Sequence, residues 1–320
     1  TLDGQIAALK SPAPNVRFLG FEKLRARGEE VLAEVSALRN DDNPYVRARM
    51  VWLMAQLGDA GRRAVVKLLD HDDPSARIVA FRALLRTNMD LLAHATRLAA
   101  DPSPAVRREV ALAMRDVPLE ACQDILVKLA EGYDAQDRWY LEALGTACDG
   151  KEESLFPRLL DEFGALPTEW DERFAGLVWR LHPANAIGAL STRALCEDLT
   201  VQQRKQATDS LAFIEDAAAA EAMIEIALRG PGDLRAAAAW WIGFRANNLW
   251  CDYPAVLEYS RSAKSMPTEV AGVRLPGRPV YTSDVIRRGD VADILVDITG
   301  AQRLYLVVTD AGDGHSCDWA

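Results

Sequence analysis

Proline stands at Pro14, Pro44, Pro74 and Pro104, and arginine follows three residues later each time, at Arg17, Arg47, Arg77 and Arg107. The period is thirty residues in four copies without a slip, and an internal repeat of this length constrains the fold more than composition can. Seven residues past each arginine comes Leu24, Met54, Leu84 or Met114, and four further lies Gly28, Gly58, Asn88 or Pro118. Proline lacks an N–H and has its φ preset for a first helical turn, so each one marks a helix start. Asn43, Asp73 and Ser103 precede three of them with side chains suited to capping; Ala13 has none. Gly28, Gly58 and Asn88 accept the left-handed conformation that closes a helix, and Pro118 cannot continue one. The other half of each unit carries a second apolar stripe: Val35/Leu38, Val65/Leu68, Ala95/Leu98 and Ile125/Leu129.

Each unit therefore reads as two helices of about three turns, too small to bury their own apolar faces, so that neighbours must stack. The expected fold class is mainly α, an α-solenoid with a period of thirty. A fifth copy is degenerate, with Asp134 at the proline position, Asp137 at the arginine position and Leu144 at the leucine position. Helical patterning continues without clean register over 152–163, 169–181, 184–196, 201–214, 217–229 and 233–247. The arginine row has two readings. A fixed register would let it grip an anionic ligand, or let each guanidinium tie a carboxylate or helix-end carbonyl of the adjacent unit.

After Tyr259 the pattern changes. Ser260, Ser262, Ser265 and Pro267 mark a linker, and a β-rich tail follows. Residues 293–298 and 303–309 are the clear strands, joined by a hairpin-type turn at 299–302; 270–273 and 280–285 are weaker ones. The expected domains are thus a helical region over 1–259, a linker over 260–267 and an incomplete β-sandwich over 268–320. The strands present make a poor sheet, so Ala320 reads as a truncation point. Thr1 begins the chain with no signal-peptide pattern behind it, as expected of a processed chain or of a piece of a longer one.

Charge bears on partners. With 37 basic and 47 acidic side chains the net charge is −10, and no block of Lys/Arg is present to displace counterions along a duplex; nucleic acid is not an expected partner. The longest apolar stretch, 236–244, is under half of the ~20 residues that cross a bilayer, so no membrane span is expected. Cys122, Cys148, Cys196, Cys251 and Cys317 form no C-x-x-C pair, and the first four read as small buried hydrophobes. No catalytic or nucleotide-binding motif occurs, and His71, His94, His182 and His315 stand apart from any nucleophile. Asp310, Asp313 and Asp318 gather near Gly312 and Gly314, either as solvated acids of a turn, as hard oxygen ligands for calcium, or as sugar contacts. His315 and Cys317 with Asp313 are a weaker transition-metal set. Trp240, Trp241, Trp250 and Tyr253 read either as packing at the end of the repeats or as an aromatic platform for a sugar ring.

The strings D-D-P-S-A-R at 72–77 and D-P-S-P-A-V-R at 101–107 resemble HEAT repeats of the short kind. Y-D-A-Q-D-R-W-Y-L-E-A-L-G at 133–145 and W-W-I-G-F-R-A-N-N-L-W-C-D-Y at 240–253 are similar to segments of large membrane-bound dehydrogenases of planctomycete and verrucomicrobial type. Those mosaics carry a sugar-dehydrogenase-like β-propeller, HEAT repeats and a c-type cytochrome domain. The tail, from Val296-Asp297-Ile298 through 304–314 to Cys317-Asp318-Trp319-Ala320, resembles the start of the NPCBM family, a carbohydrate-binding sandwich of galactose-binding-like fold. The resemblances imply an extracytoplasmic setting, a glycan as partner of the β segment, and a propeller or cytochrome c as partner of the solenoid. The exact repeat and the absence of a catalytic set point to a non-catalytic scaffold without a cofactor of its own; the dehydrogenase resemblance implies the alternative, the structural part of a haem-containing oxidoreductase. No residue of this chain matches a catalytic or haem-ligating motif.

Overall fold

Each of the four repeated prolines opens a helix. The computed structural model describes residues 1–87, 90–263, 269–270, 273–274 and 295. The chain begins with α1 (Leu2–Lys10), α2 (Pro14–Arg25), α3 (Leu32–Ala37), α4 (Pro44–Met54), α5 (Gly58–Lys67) and α6 (Pro74–Leu85). It continues through α7 (Leu91–Leu98), α8 (Pro104–Ala113), α9 (Leu119–Glu131), α10 (Arg138–Ala147) and α11 (Glu152–Phe163). Then come α12 (Glu172–Leu181), α13 (Ile187–Leu195), α14 (Val201–Leu211), α15 (Ala217–Arg229), α16 (Gly232–Arg245) and α17 (Pro254–Ala263). The chain is mainly helical. It divides into two compact units, residues 1–158 and 159–320, with the division inside α11.

In the first unit α2, α4, α6, α8 and α10 stack in sequence order as one row. A second row packs against it, α5 on α4 and α6, α7 on α6 and α8, and α9 on α8 and α10, with α7 and α9 also in contact with each other. The repeated apolar position explains this cohesion: Leu24, Met54, Leu84 and Met114 are all 5% exposed or less. Gly28 and Gly58 take φ of 65° and 90° where the chain reverses between rows, a region open to glycine at little cost. Asn43 and Asp73 cap α4 and α6 by accepting the N–H groups of Tyr45 and Ser75 at 2.9 and 2.8 Å.

Several expectations need correction. Ser103 makes no side-chain capping bond, although its own N–H is held by Asp101 Oδ1 at 2.8 Å just as those of the capping residues Asn43 and Asp73 are held by Asp41 and His71. In the second stripe Leu69 is buried and Leu68, which opens a 3-10 turn over Leu68–Asp70, is only half-buried. Pro118 sits at the N-cap of α9, opening that helix. Asn88 lies outside the described residues. The fifth copy is shifted: its helix opens at Arg138, four residues later than the period requires. Asp137 therefore stands at the N-cap, accepting from the Tyr140 N–H at 3.0 Å, and not at the ladder position. Asp134 holds the loop before it, accepting from the N–H groups of Gln136 and Asp137, both at 2.9 Å.

In the second unit two rows again form, α12–α14–α16 and α13–α15–α17. The unregistered helical stretches of the sequence correspond to α11 through α16, and α11 and α15 match the expected limits. α17 runs to Ala263, so Ser260 and Ser262 are helical although the serine pattern marked them as linker. Beyond it, β1 (Glu269–Val270) pairs antiparallel with β2 (Val273–Arg274), Val270 opposite Val273. The expected strand over 270–273 is thus shared between two short paired strands. Of the other expected strands only Leu295, within 293–298, is described, and it is exposed and not in a strand; the rest lie outside the described residues.

Candidate functional site

The arginine row is held by backbone. In every copy the Nη1 of the ladder arginine donates to the two carbonyls six and five residues before it. The bonds run from Arg17 to Ser11 and Pro12 at 3.4 and 2.6 Å, and from Arg47 to Asp41 and Asp42 at 2.7 and 3.1 Å. Arg77 reaches His71 and Asp72 at 2.7 and 3.0 Å, and Arg107 reaches Asp101 and Pro102 at 2.6 and 3.3 Å. These carbonyls lie at the end of the preceding shorter-row helix, where intrahelical donors run out, so each guanidinium staples one repeat to the next. Arg107 also donates to Gly132 O at 2.8 Å and to the Tyr140 hydroxyl at 3.1 Å, with the Tyr140 ring 5.1 Å from its centre.

The same loops carry a second repeated bond. Ser11 Oγ, Asp41 Oδ1, His71 Nδ1 and Asp101 Oδ1 each accept the N–H two residues on, at 3.2, 3.0, 3.0 and 2.8 Å. A short polar side chain at this position closes the turn before the proline.

The four aromatic residues of the expected platform do not stay together. Trp250 is fully buried and donates its Nε1–H to Ile214 O at 3.0 Å. Tyr253 is half-buried, with its hydroxyl pKa raised by burial and by Glu215 and Asp216 nearby. Trp240 and Trp241 instead join rings from two other helices of their row. At the C-terminal ends of α12, α14 and α16 lie Trp179, His182, Phe213, Trp241, Phe244 and Trp240, in edge and stacked contacts with centroids 4.8 to 6.4 Å apart. Phe213 is 41% exposed and Trp240 53% exposed, while Trp179, His182, Trp241 and Phe244 are half-buried, so the group forms a ridge most open at two rings.

Polar groups are threaded through the ridge. The Arg245 guanidinium lies 4.8 Å from the Phe213 centroid, 5.5 Å from Trp241 and 5.3 Å from Phe244. Trp241 Nε1 donates to Asp209 Oδ1 at 2.7 Å, which fixes its ring plane. His182 ends α12 in the left-handed region at φ 51° and stacks on Phe213 at 5.2 Å. Its burial, with the charges of Arg180 and Arg245 adding to it, pushes its pKa down to about 4. His182 Nε2 and Arg245 Nε are buried without a hydrogen-bond partner among the described residues. Such a surface combines flat apolar faces with fixed polar edges, the makeup of sites that bind ring-shaped polar ligands.

Trp179, His182, Phe213, Phe244 and Arg245 were absent from the sequence-based platform. Their signal is weak: Trp179, Phe213 and Phe244 recur at helix C-termini, 34 and 31 residues apart by number, after the thirty-residue register has been lost.

Asp310, Asp313, Asp318, His315 and Cys317 lie outside the described residues. Among the described residues no three His, Cys, Asp or Glu side chains converge to hold a metal ion. Cys122 and Cys148 are buried, but Cys196 is half-buried and Cys251 exposed, contrary to the reading of all four as core; Cys251 falls in the turn after α16. No helix among the described residues is long and apolar enough to cross a membrane.

Residues 31–90, two periods in length, match the model for HEAT repeats, and residues 242–320 match the NPCBM/NEW2 domain model. HEAT repeats are helical interaction scaffolds and NPCBM domains are associated with carbohydrate binding; both are non-catalytic domain types. No curated protein matches the chain. The NPCBM match begins at Ile242, inside α16, and so takes in Phe244 and Arg245 of the ridge.

Proposed function

We propose that this chain is a non-catalytic, glycan-directed scaffold, in which the stacked repeats hold and present an NPCBM-like segment outside the cytoplasm. The helical region over 1–259 is the scaffold part, docking neighbouring domains or proteins, and the segment after it contributes glycan contacts. The single observation that carries this reading is the ridge on α12, α14 and α16, in which Trp240 and Phe213 are exposed and the Arg245 guanidinium lies over the Phe213 ring. An aromatic face packs on the C–H face of a sugar, and a guanidinium beside it donates to ring hydroxyls. The NPCBM match extending back into α16 supports a glycan over a peptide as occupant.

In this reading the arginine ladder is structural and the acids Asp310, Asp313 and Asp318 serve the glycan-binding segment, as calcium ligands or as direct sugar contacts. A glycan array probed with the full chain and with Trp240→Ala tests the proposal. Binding by the full chain that Trp240→Ala abolishes or weakens supports it. Absence of glycan binding, or binding indifferent to Trp240→Ala, removes the ridge from the function; capture of a protein partner through the same ring would make it a protein-docking face.

A further inference from the structure

A separate feature lies in the first unit, at the C-terminal ends of α2, α4 and α6. Arg25, Ala26, Ala55, Gln56, Arg62, Arg86 and Thr87 line an open depression of about 510 Å³. Three guanidinium groups and no carboxylate line it, in a chain whose net charge is −10. The repeat explains the space. Arg25 and Ala55 hold one register position in successive copies, and Ala26, Gln56 and Arg86 hold the next. Alanine at two of these positions leaves a hollow that the long side chains border.

The charges are not cancelled within it. Arg25 pairs with Glu22 at 2.6 Å and Arg62 pairs with Asp59, both one turn away along the same helices, while Arg86 has no acceptor for its side chain among the described residues. Three cations thus face two carboxylates, each of which stands outside the lining. Arg62 is also under-satisfied. Its Nη2 is taken by Asp59, and its Nε–H is buried with no acceptor. A buried donor without a partner carries a desolvation cost that an incoming oxygen would relieve.

We infer that this depression is an oxyanion site, taking a sulfate, phosphate or carboxylate group between Arg25, Arg62 and Arg86. The guanidinium fork matches such groups with two parallel N–H···O bonds, and three forks from successive repeats fix an anion in a way that a single surface arginine does not. The site is independent of the aromatic ridge and of the glycan reading. The anion is free in solution or is a substituent on a larger ligand, and the two sources share the chemistry.

Calorimetric titration of the full chain tests the inference, with sodium sulfate as one probe, a sulfated disaccharide as the other, and sodium chloride at matched ionic strength as control. Saturable binding of either probe, weakened about tenfold or more by Arg86→Gln, supports the site. A sulfated disaccharide that binds far better than sulfate identifies the anion as a substituent, and equal affinity identifies a free ion. Arg62→Lys keeps the charge and removes the fork, and should weaken binding without loss of fold. No saturable binding of either probe above the chloride control, or binding unchanged in both Arg86→Gln and Arg62→Lys, overturns it.

Discussion

Arg77 and Asp101 meet through two parallel hydrogen bonds across a repeat boundary, Nε to Oδ2 at 2.8 Å and Nη2 to Oδ1 at 2.7 Å. Both side chains are nearly withdrawn from solvent, at 10% and 5% exposure. Asp101 Oδ1 holds the Ser103 N–H as well, so one carboxylate closes its own loop and anchors the arginine of the preceding repeat. Arg77 completes the joint by donating to His71 and Asp72 carbonyls. The bond between the third and fourth repeats is therefore polar at the loop edge and apolar inside.

Removing one partner of such a pair leaves the other charge buried. Asp101→Ala is expected to destabilise the first unit by roughly 3 kcal/mol, read as a lowered denaturant midpoint. Arg47→Ala, at an exposed ladder position with no carboxylate hydrogen bond among the described residues, should cost clearly less. Equal costs would mean that the ladder acts through its carbonyl bonds alone.

Leu84 lies between repeats at 1% exposure, and Leu84→Ala should cost ~2 to 5 kcal/mol through lost burial and a residual cavity. Leu112, 47% exposed on the neighbouring helix, provides the contrast, with a change of about 0.5 kcal/mol or less on replacement by alanine. Urea denaturation of both variants measures the difference.

Trp250 and Trp240 are expected to part company in the same way. Trp250→Ala should lower stability by about 3 to 5 kcal/mol, since it empties a buried site and frees the Ile214 carbonyl. Trp240→Ala should leave the melting curve nearly unchanged. If both lower it alike, Trp240 belongs to the packing and not to an accessible face.

His182 gives the second unit a pH dependence of known sign. Its folded pKa, about 4, lies below the ordinary 6.5, so between those values the unfolded chain binds the proton more readily. Stability from this group is complete above pH 6.5 and falls as the pH drops towards 4. The loss amounts to about 2 kcal/mol after allowance for solvent screening of a half-buried ring. His182→Asn, which tolerates the left-handed backbone, should flatten the slope over that window in denaturation measured against pH. A slope unchanged from the parent chain would assign the acid sensitivity to carboxylates.

The repeats were legible because their marks are local. Pro44 and Asn43, or Pro74 and Asp73, decide a helix start by their own chemistry, and Gly58 decides a reversal by its missing Cβ. The loop bond of Ser11, Asp41, His71 and Asp101 was in register too, but four different residue types share one acceptor role, so identity did not reveal it. The fifth copy misled for the converse reason: Asp137 falls at the arginine position by count, and a longer loop makes it the N-cap. The ridge was half legible. Trp240 and Trp241 are adjacent in sequence, whereas Trp179, His182 and Phe213 reach them only through stacking of α12 on α14 and α14 on α16, which no local pattern encodes. Trp250 lies nine residues from Trp241 by number yet points into the core, because the turn after α16 folds its indole under Ile214.

The most direct measurement is a titration of the glycans selected by the full chain against three single variants, Trp240→Ala, Phe213→Ala and Tyr253→Ala, with tryptophan fluorescence and heat as parallel readouts. The account predicts that the two ridge variants weaken binding about tenfold or more while Tyr253→Ala leaves it unchanged, and that ligand quenches fluorescence in the parent chain. Full affinity in both ridge variants, or an equal loss in all three, would contradict it.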